Sequence, residues 1–281
     1  MRECKQKVLI NKYEEYLLIE EKSENTIKKY SYDVKCFLEY LQNKTLDKKM
    51  VLNYKETLKE RYSSKSVNSK LAAINLFLKW LNKADLRVKP VKIQKEIFSN
   101  PDRELSQEEY KRLVKTAKSR NNTKLALLIQ TICSTGIRVS ELKYITVECL
   151  KNSKAIVHCK GKTRVIFMPK QLCILLKKYC KATNILSGSI FITNKNNPID
   201  RSNIWKMMKS LCDEANISKE KVFPHNLRHL FARTFYKVEK DIGRLADILG
   251  HCSMETTRIY TIEAGRSHVR QIEKMSLVLI N

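Results

Sequence analysis

Apolar residues recur at helical spacing along residues 9–81, and no other feature narrows the possible folds of this chain as much. Ile27, Tyr30, Val34, Phe37 and Leu41 fall on one face of a helix, and Val67, Leu71, Ile74, Leu78 and Leu81 on one face of another. Ser23-Glu24-Asn25-Thr26 precedes the first stripe and Ser63-Ser64-Lys65-Ser66 the second, runs whose hydroxyl and amide groups suit the free N–H groups of a helix start. With residues 9–18 and 48–59, the pattern predicts a small domain of about four helices.

The pattern breaks between Asn82 and Asp102, where Pro90, Pro101 and the basic run Arg87-Val88-Lys89-Pro90-Val91-Lys92 read as a linker. A chain of 281 residues is long enough for two cores. The expected division is a helical domain over residues 1–85, a linker over 86–103 and a second domain over 104–281. Ser106 with Glu109 three residues on is a capping box that opens the second domain, and a helix follows over residues 124–134. Residues 155–159 and 165–168 alternate as strands around a basic turn at residues 160–163, a β-hairpin. Asp200-Arg201-Ser202-Asn203 opens another helix, through Trp205 and Leu211. The fold class expected is mainly α with a small β-hairpin, α+β overall.

Lysine and arginine number 55 against 29 acidic residues, a formal net charge of +26. Such an excess is the electrostatic footprint of a polyanion partner. No segment sets its basic residues opposite an unbroken apolar face, so a nucleic acid is favoured over a membrane surface. No signal-like start is seen at Met1-Arg2-Glu3-Cys4-Lys5, and the longest apolar run, residues 125–132, is interrupted by Gln130 and too short to span a bilayer, so a cytoplasmic protein is expected. The nine cysteines form no Cys-x-x-Cys pair and read as reduced thiols.

The residues that carry chemistry lie in the second half. Arg138 follows Thr135-Gly136-Ile137, His225 and Arg228 stand at i, i+3 and so on one helix face, His251 follows Leu249-Gly250, and Tyr260 comes nine residues later. A phosphodiester under attack gains negative charge on its non-bridging oxygens, and guanidinium forks match those oxygens. Histidines can donate to the same oxygens and move a proton near neutral pH. A phenol can attack phosphorus if cationic neighbours favour its phenolate, which makes Tyr260 the candidate nucleophile. The set points to cutting a DNA strand without a metal or other cofactor.

In these residues the chain resembles the tyrosine recombinases of the phage integrase family, most closely its compact XerC/XerD-like members. The resemblance rests on residues 135–142, on Cys159-Lys160-Gly161-Lys162-Thr163-Arg164, on Pro224-His225-Asn226-Leu227-Arg228-His229-Leu230-Phe231-Ala232, and on Leu249-Gly250-His251 through Thr256-Thr257-Arg258-Ile259-Tyr260. It implies that Arg138, His225, Arg228 and His251 activate the phosphate, that Tyr260 attacks it, and that a lysine on the hairpin turn protonates the leaving 5′-oxygen. Lys160 stands where that lysine is expected, with Lys162 as the alternative. It also implies that the first domain is a SAM-like core-binding domain lying across DNA opposite the catalytic domain. Ser66, Asn68 and Lys70 are then possible contacts, as are Lys162, Arg201, Asn203 and Lys206 of the second domain.

The activity so implied is site-specific recombination through a 3′-phosphotyrosine and a Holliday junction, as integration and excision of a mobile element or as resolution of multimers. The 21 residues after Tyr260 carry an apolar stripe, Val269, Ile272, Met275 and Leu279. That tail either packs on its own domain or, as the resemblance suggests, docks into a neighbour and links a tetramer, homomeric or shared with a related recombinase. No further DNA-binding arm is expected. Three other activities share parts of the pattern. A type IB topoisomerase would use the same tyrosine without partners, an inactive DNA-binding regulator would need only charge and helices, and a metal-dependent nuclease would need clustered carboxylates, which are not conspicuous here.

Overall fold

A computed structural model of the chain describes residues 2–42, 44–93, 103–159, 162–251, 253–258 and 260, with backbone only at 2–5, 159 and 162. The chain forms two compact units, Met1–Lys95 and Glu96–Asn281.

The first unit is made of four helices, α1 (Arg2–Ile19), α2 (Glu24–Leu41), α3 (Lys48–Arg61) and α4 (Ser64–Trp80). Both predicted stripes face inward: Ile27, Val34, Phe37 and Leu41 are buried on α2, and Val67, Leu71, Ile74 and Leu78 on α4. Each such side chain removed from water contributes about 1.5–3 kcal/mol. Tyr13, Phe77 and Trp80 close one end of the core as an aromatic cluster. The Ser63 hydroxyl caps α4 by accepting from the Ser66 N–H at 3.4 Å, whereas the Ser23 hydroxyl pairs with Thr26 Oγ1 and leaves the α2 start uncapped by a side chain.

The first part of the expected linker belongs to this unit. A short 3-10 turn (Ala84–Leu86) leads to an extended segment whose Val88 is buried in the α2–α4 core. Two asparagines one heptad apart on α4 hold it as a strand partner would. Asn75 donates to Val88 O and accepts from Val88 N at 2.9 and 3.0 Å, and Asn68 does the same for Val91 at 2.9 and 2.7 Å. Lys55 adds a bond to Lys89 O at 2.8 Å. Pro90, which lacks an N–H, falls between the two pinned residues.

In the second unit α5 (Gln107–Ser119) opens on the predicted capping box, with both the Ser106 and Glu109 bonds made. Asn122 caps α6 (Thr123–Thr135), the most deeply buried helix of this unit. A 3-10 helix (Val139–Tyr144) and α7 (Cys149–Asn152) lead to the hairpin of β1 (Lys154–Cys159) and β2 (Lys162–Phe167). The hairpin is tighter than the sequence suggests. Cys159 pairs with Lys162 and His158 with Thr163, whose side chains bond at 2.9 Å, so Lys162 and Thr163 lie in β2 rather than in the turn. The rest is helical: α8 (Lys170–Ala182), α9 (Arg201–Lys209), α10 (Pro224–Glu239), α11 (Ile242–Leu249) and α12 (Met254–Arg258). One core, from Leu105 to Leu230, joins α5 and α6 to the hairpin and to α8, α9 and α10. The fold is mainly helical with a two-stranded antiparallel sheet among the described residues.

Candidate active site

The site assembles at the carboxyl end of α11. That helix stops at Gly250, whose φ is +63°, and its last carbonyls have no partner within the helix. Arginines from three other segments take three consecutive ones. Arg164 of β2 donates from Nη1 to Ile248 O at 2.6 Å, Arg228 of α10 from Nη2 to Leu249 O at 2.7 Å, and Arg138 from Nη2 to Gly250 O at 3.1 Å. The negative end of a helix favours cations, and here it gathers three guanidinium groups that would otherwise repel one another.

A buried carboxylate offsets part of that charge. Glu141, 1% exposed, is the N3 residue of the 3-10 helix and reaches back to its N-cap, Arg138. Its Oε1 accepts from Arg138 Nη1 at 2.9 Å, while Oε2 accepts from the Arg138 backbone N–H at 2.9 Å and from Arg164 Nη2. Burial alone would raise this carboxyl, but the Arg164 hydrogen bond, the Arg138 N–H, the Arg164 charge and the Arg138 side-chain hydrogen bond outweigh it and hold it below the usual carboxylate range.

Arg228 is 1% exposed, and its other amino group, Nη1, donates to Gly136 O at 2.5 Å. Gly136 closes α6 in the left-handed region, and a Cβ there would lie 2.5 Å from Phe231 Cδ1, so no other residue brings this carbonyl so near α10. Burial, and then the Arg138 charge, lower Arg228 to about 10, which leaves it charged at neutral pH. Arg228 Nη2 also meets His251 Nε2 at 2.9 Å, and His251 Nδ1 meets Thr257 Oγ1 at 2.8 Å. Since a guanidinium can only donate, His251 Nε2 is the acceptor and Nδ1 carries the proton. Burial followed by Arg228 and Arg138 push His251 down to about 4, which fits that neutral tautomer.

His225, Arg228 and His229 share one face of α10. The His225 ring has an open face, yet the protein packed behind it is the largest influence lowering its pKa, ahead of Arg228, Arg138 and Arg201. His229 sits edge-on to both His225 and Tyr260, at ring centroid distances of 4.5 and 4.6 Å. Burial first, then His225, push it down to about 3, and its Nε2 is buried without a partner. Tyr260, 4% exposed, packs with Ala232, Leu245 and Leu249 and stacks on His251 at 5.8 Å. It lies close enough to Arg228 to raise the pKa of that arginine, against the larger lowering by burial and Arg138.

The structure thus brings Arg138, His225, Arg228, His251 and Tyr260 together. Lys160 lies outside the described residues, as do the tail positions Val269, Ile272, Met275 and Leu279, and of Lys162 only the backbone, in β2, is described. Glu141, Arg164, His229 and Thr257 are the site residues that sequence reasoning passed over. Glu141 had a signal, an acid three residues after an arginine at a helix start. Arg164 had only its charge and its place at the end of the stretch Cys159–Arg164.

Among the possible DNA contacts, Asn203 and Lys206 line an open recess of about 510 Å³ together with Lys124, Asn194 and Lys195. Arg201 stands at the start of α9, near enough to His225 to lower its pKa. In the first unit Ser66 bonds the capping Ser63, Asn68 is taken up at both ends by Val91, and Lys70 Nζ bonds the buried Asp33 at 2.7 Å. Among the described residues no helix is long and apolar enough to cross a membrane, and no cluster of three histidine, cysteine or acidic side chains could hold a metal ion.

Both units of the chain are similar to parts of known proteins. Residues 103–265 match the phage integrase family, and residues 10–85 match the phage integrase N-terminal SAM-like domain. The tyrosine recombinase XerA of Pyrococcus furiosus is 28% identical over 280 residues, which cover 96% of this chain and 94% of that protein. The tyrosine recombinase XerH of Campylobacter jejuni is 34% identical over 167 residues, 56% of this chain and 47% of that one. The crystal structure of XerA recombinase superposes with a TM-score of 0.53 at 29% identity, covering 98% of this chain and all of that one. A lambda integrase dimer bound to a COC′ core site shares the fold with a TM-score of 0.73 at 17% identity, over 90% of this chain and 94% of that one.

Proposed function

The chain belongs to the phage integrase family and is a tyrosine recombinase, an enzyme that breaks and rejoins DNA in site-specific recombination, and we propose that Tyr260 is its nucleophile and the carboxyl end of α11 its phosphate site. The observation that carries this reading is the Arg228 guanidinium, which is buried, charged and in reach of Tyr260, His251 and the Arg138 side of the site at once.

Arg138 and Arg228 hold the non-bridging oxygens of the scissile phosphate. As those oxygens draw on Arg228, His251 Nε2 gives up its bond to that arginine and can take the phenol proton. Tyr260 Oη then attacks phosphorus, the 3′-phosphotyrosine forms, and the P–O5′ bond breaks. Lys160 gives its proton to the leaving 5′-oxygen, with Lys162 as the alternative donor. His225, kept neutral by its surroundings, donates to the same phosphate. Attack by a 5′-hydroxyl on the phosphotyrosine reverses the sequence, so the bond energy is kept and no ATP or cofactor is needed.

Double-stranded DNA is the substrate, and the basic excess of both units supports it. We assign Arg201, Asn203 and Lys206 to the DNA surface of the second unit. In the first unit Ser66 and Lys70 remain contacts, whereas Asn68, whose amide is fully used on Val91, acts by holding the chain. Two duplexes are exchanged by four protomers, of this chain or with a related recombinase, the tail after Tyr260 docking on a neighbour, in the cytoplasm where DNA is at hand. Its biological use is integration and excision of a mobile element or resolution of multimers.

The test is a nicked suicide duplex incubated in EDTA with wild type or Tyr260→Phe and run on a denaturing gel. A covalent adduct from wild type alone, with equal DNA binding by both, is expected. An adduct that persists in Tyr260→Phe would assign the nucleophile elsewhere.

A further inference from the structure

Arg164 is the arginine of the cluster that the reaction just described does not use. It comes from β2, yet both its bonds leave the hairpin: Nη1 to Ile248 O at 2.6 Å and Nη2 to Glu141, the carboxylate that also holds Arg138. Its Nε–H is buried with no partner, a cost that packing alone would not require. The turn opposite is shaped around it. A Cβ on Gly250 would lie 2.5 Å from Arg164 Cδ and 3.2 Å from Nε, so this glycine provides room for the side chain as well as the left-handed turn before His251.

Resting on the reading of Arg138 and Arg228 as a phosphate clamp, we propose that Arg164 is a positioning residue for that clamp, fixing Arg138 through Glu141 and the turn before His251 through Ile248. Without it, Arg138 alone would face the Glu141 carboxylate and would be drawn onto it. The fork that should meet a non-bridging oxygen would then turn inward. The carboxyl end of α11 would also lose one of its three arginine contacts, and the Leu249–Gly250 carbonyls that aim Arg228 and Arg138 would be less firmly placed. Lysine cannot substitute, since one ammonium on a single stem cannot bond a carbonyl and a carboxylate in the two directions a guanidinium spans.

Arg164→Met and Arg164→Lys are compared with wild type for DNA affinity and for single-turnover cleavage on three suicide duplexes: a natural phosphate, a methylphosphonate lacking one negative charge, and a 5′-bridging phosphorothiolate whose leaving group needs no proton. Both variants are expected to bind DNA as wild type does and to cleave the natural phosphate at least about tenfold more slowly. The loss should shrink on the methylphosphonate, where less charge must be clamped, and persist on the phosphorothiolate. Combining Arg164→Met with Glu141→Gln should cost no more than the worse single change. Wild-type cleavage rates in both variants, or rescue by the phosphorothiolate, would overturn the proposal, the latter because it would place Arg164 with the hairpin lysine. A wild type that forms no adduct on any substrate would instead overturn the recombinase chemistry assigned to Tyr260.

Discussion

Each unit buries one carboxylate between two cations, and the two arrangements do different work. In the first, Asp33 is 3% exposed and accepts from Lys29 Nζ at 3.1 Å and from Lys70 Nζ at 2.7 Å. Lys29 also reaches Ser69 on α4, and the result is a tie between α2 and α4. In the second, Glu141 holds Arg138 and Arg164, and each guanidinium continues to a backbone carbonyl at the end of α11. An ammonium bonds as a point charge, whereas a planar fork transmits orientation from one partner to the next. The same charge count therefore makes a brace in one unit and an aligned clamp in the other.

The largest expected effect separates the two. Arg138→Ala should lower the single-turnover cleavage rate by a factor on the order of 10² or more with DNA binding kept, since it removes a donor matched to developing charge. Asp33→Asn should leave that rate at its wild-type value and lower the stability of the first unit by about 1–3 kcal/mol, less than for a fully buried pair because Lys29 is half exposed and can turn to water. Denaturant unfolding beside the suicide assay checks both. A cleavage defect in Asp33→Asn equal to that of Arg138→Ala would erase the distinction.

Much of this was legible in the sequence because it is local. The α2 and α4 stripes, the Ser106–Glu109 capping box and the pairing of His225 with Arg228 on one face depend on spacing within a single element. The three-arginine cap on α11 was not legible. Its members come from positions 138, 164 and 228, and their shared targets are main-chain carbonyls, which no side-chain pattern reports. The linker was misread at its start for a related reason. Pro90 and the basic residues of 87–92 suggest a free segment, but Val88 is buried and the bonds of Asn68 and Asn75 come from a helix already assigned to an apolar stripe.

Acid sharpens the contrast between the units, because all five histidines of the chain lie after residue 95. His229 and His251 are held at about 3 and about 4, against about 6.5 in an unfolded chain. Below pH 6.5 the unfolded state takes up protons that the folded state refuses, so the stability these two rings contribute is complete above that pH and is lost as pH falls toward their folded values. The slope is at most about 1.4 kcal/mol per pH unit for each, reduced by their partial exposure. Trp80 in the first unit and Trp205 in the second allow each to be followed in single-tryptophan variants. Between pH 7 and 5 the Trp205 transition should weaken and the Trp80 transition should hold. Equal slopes would mean that the histidines are not kept neutral by the fold.

The smallest effect tests whether the brace of the first unit extends to the chain that leaves it. Asn75→Ala removes one donor and one acceptor from Val88, which stays buried with its N–H unpaired, a loss of about 1–2 kcal/mol. Lys55 on Lys89 O and Asn68 on Val91 remain, so the segment should open locally rather than unfold the helices. Trypsin reads that opening at Arg87, since the bond after Lys89 is protected by Pro90. Cutting after Arg87 should quicken about tenfold, matching some 1.4 kcal/mol, with single-turnover cleavage of DNA unchanged. If Asn75→Ala resists trypsin as wild type does, the asparagine pair is incidental and Val88 alone anchors the segment.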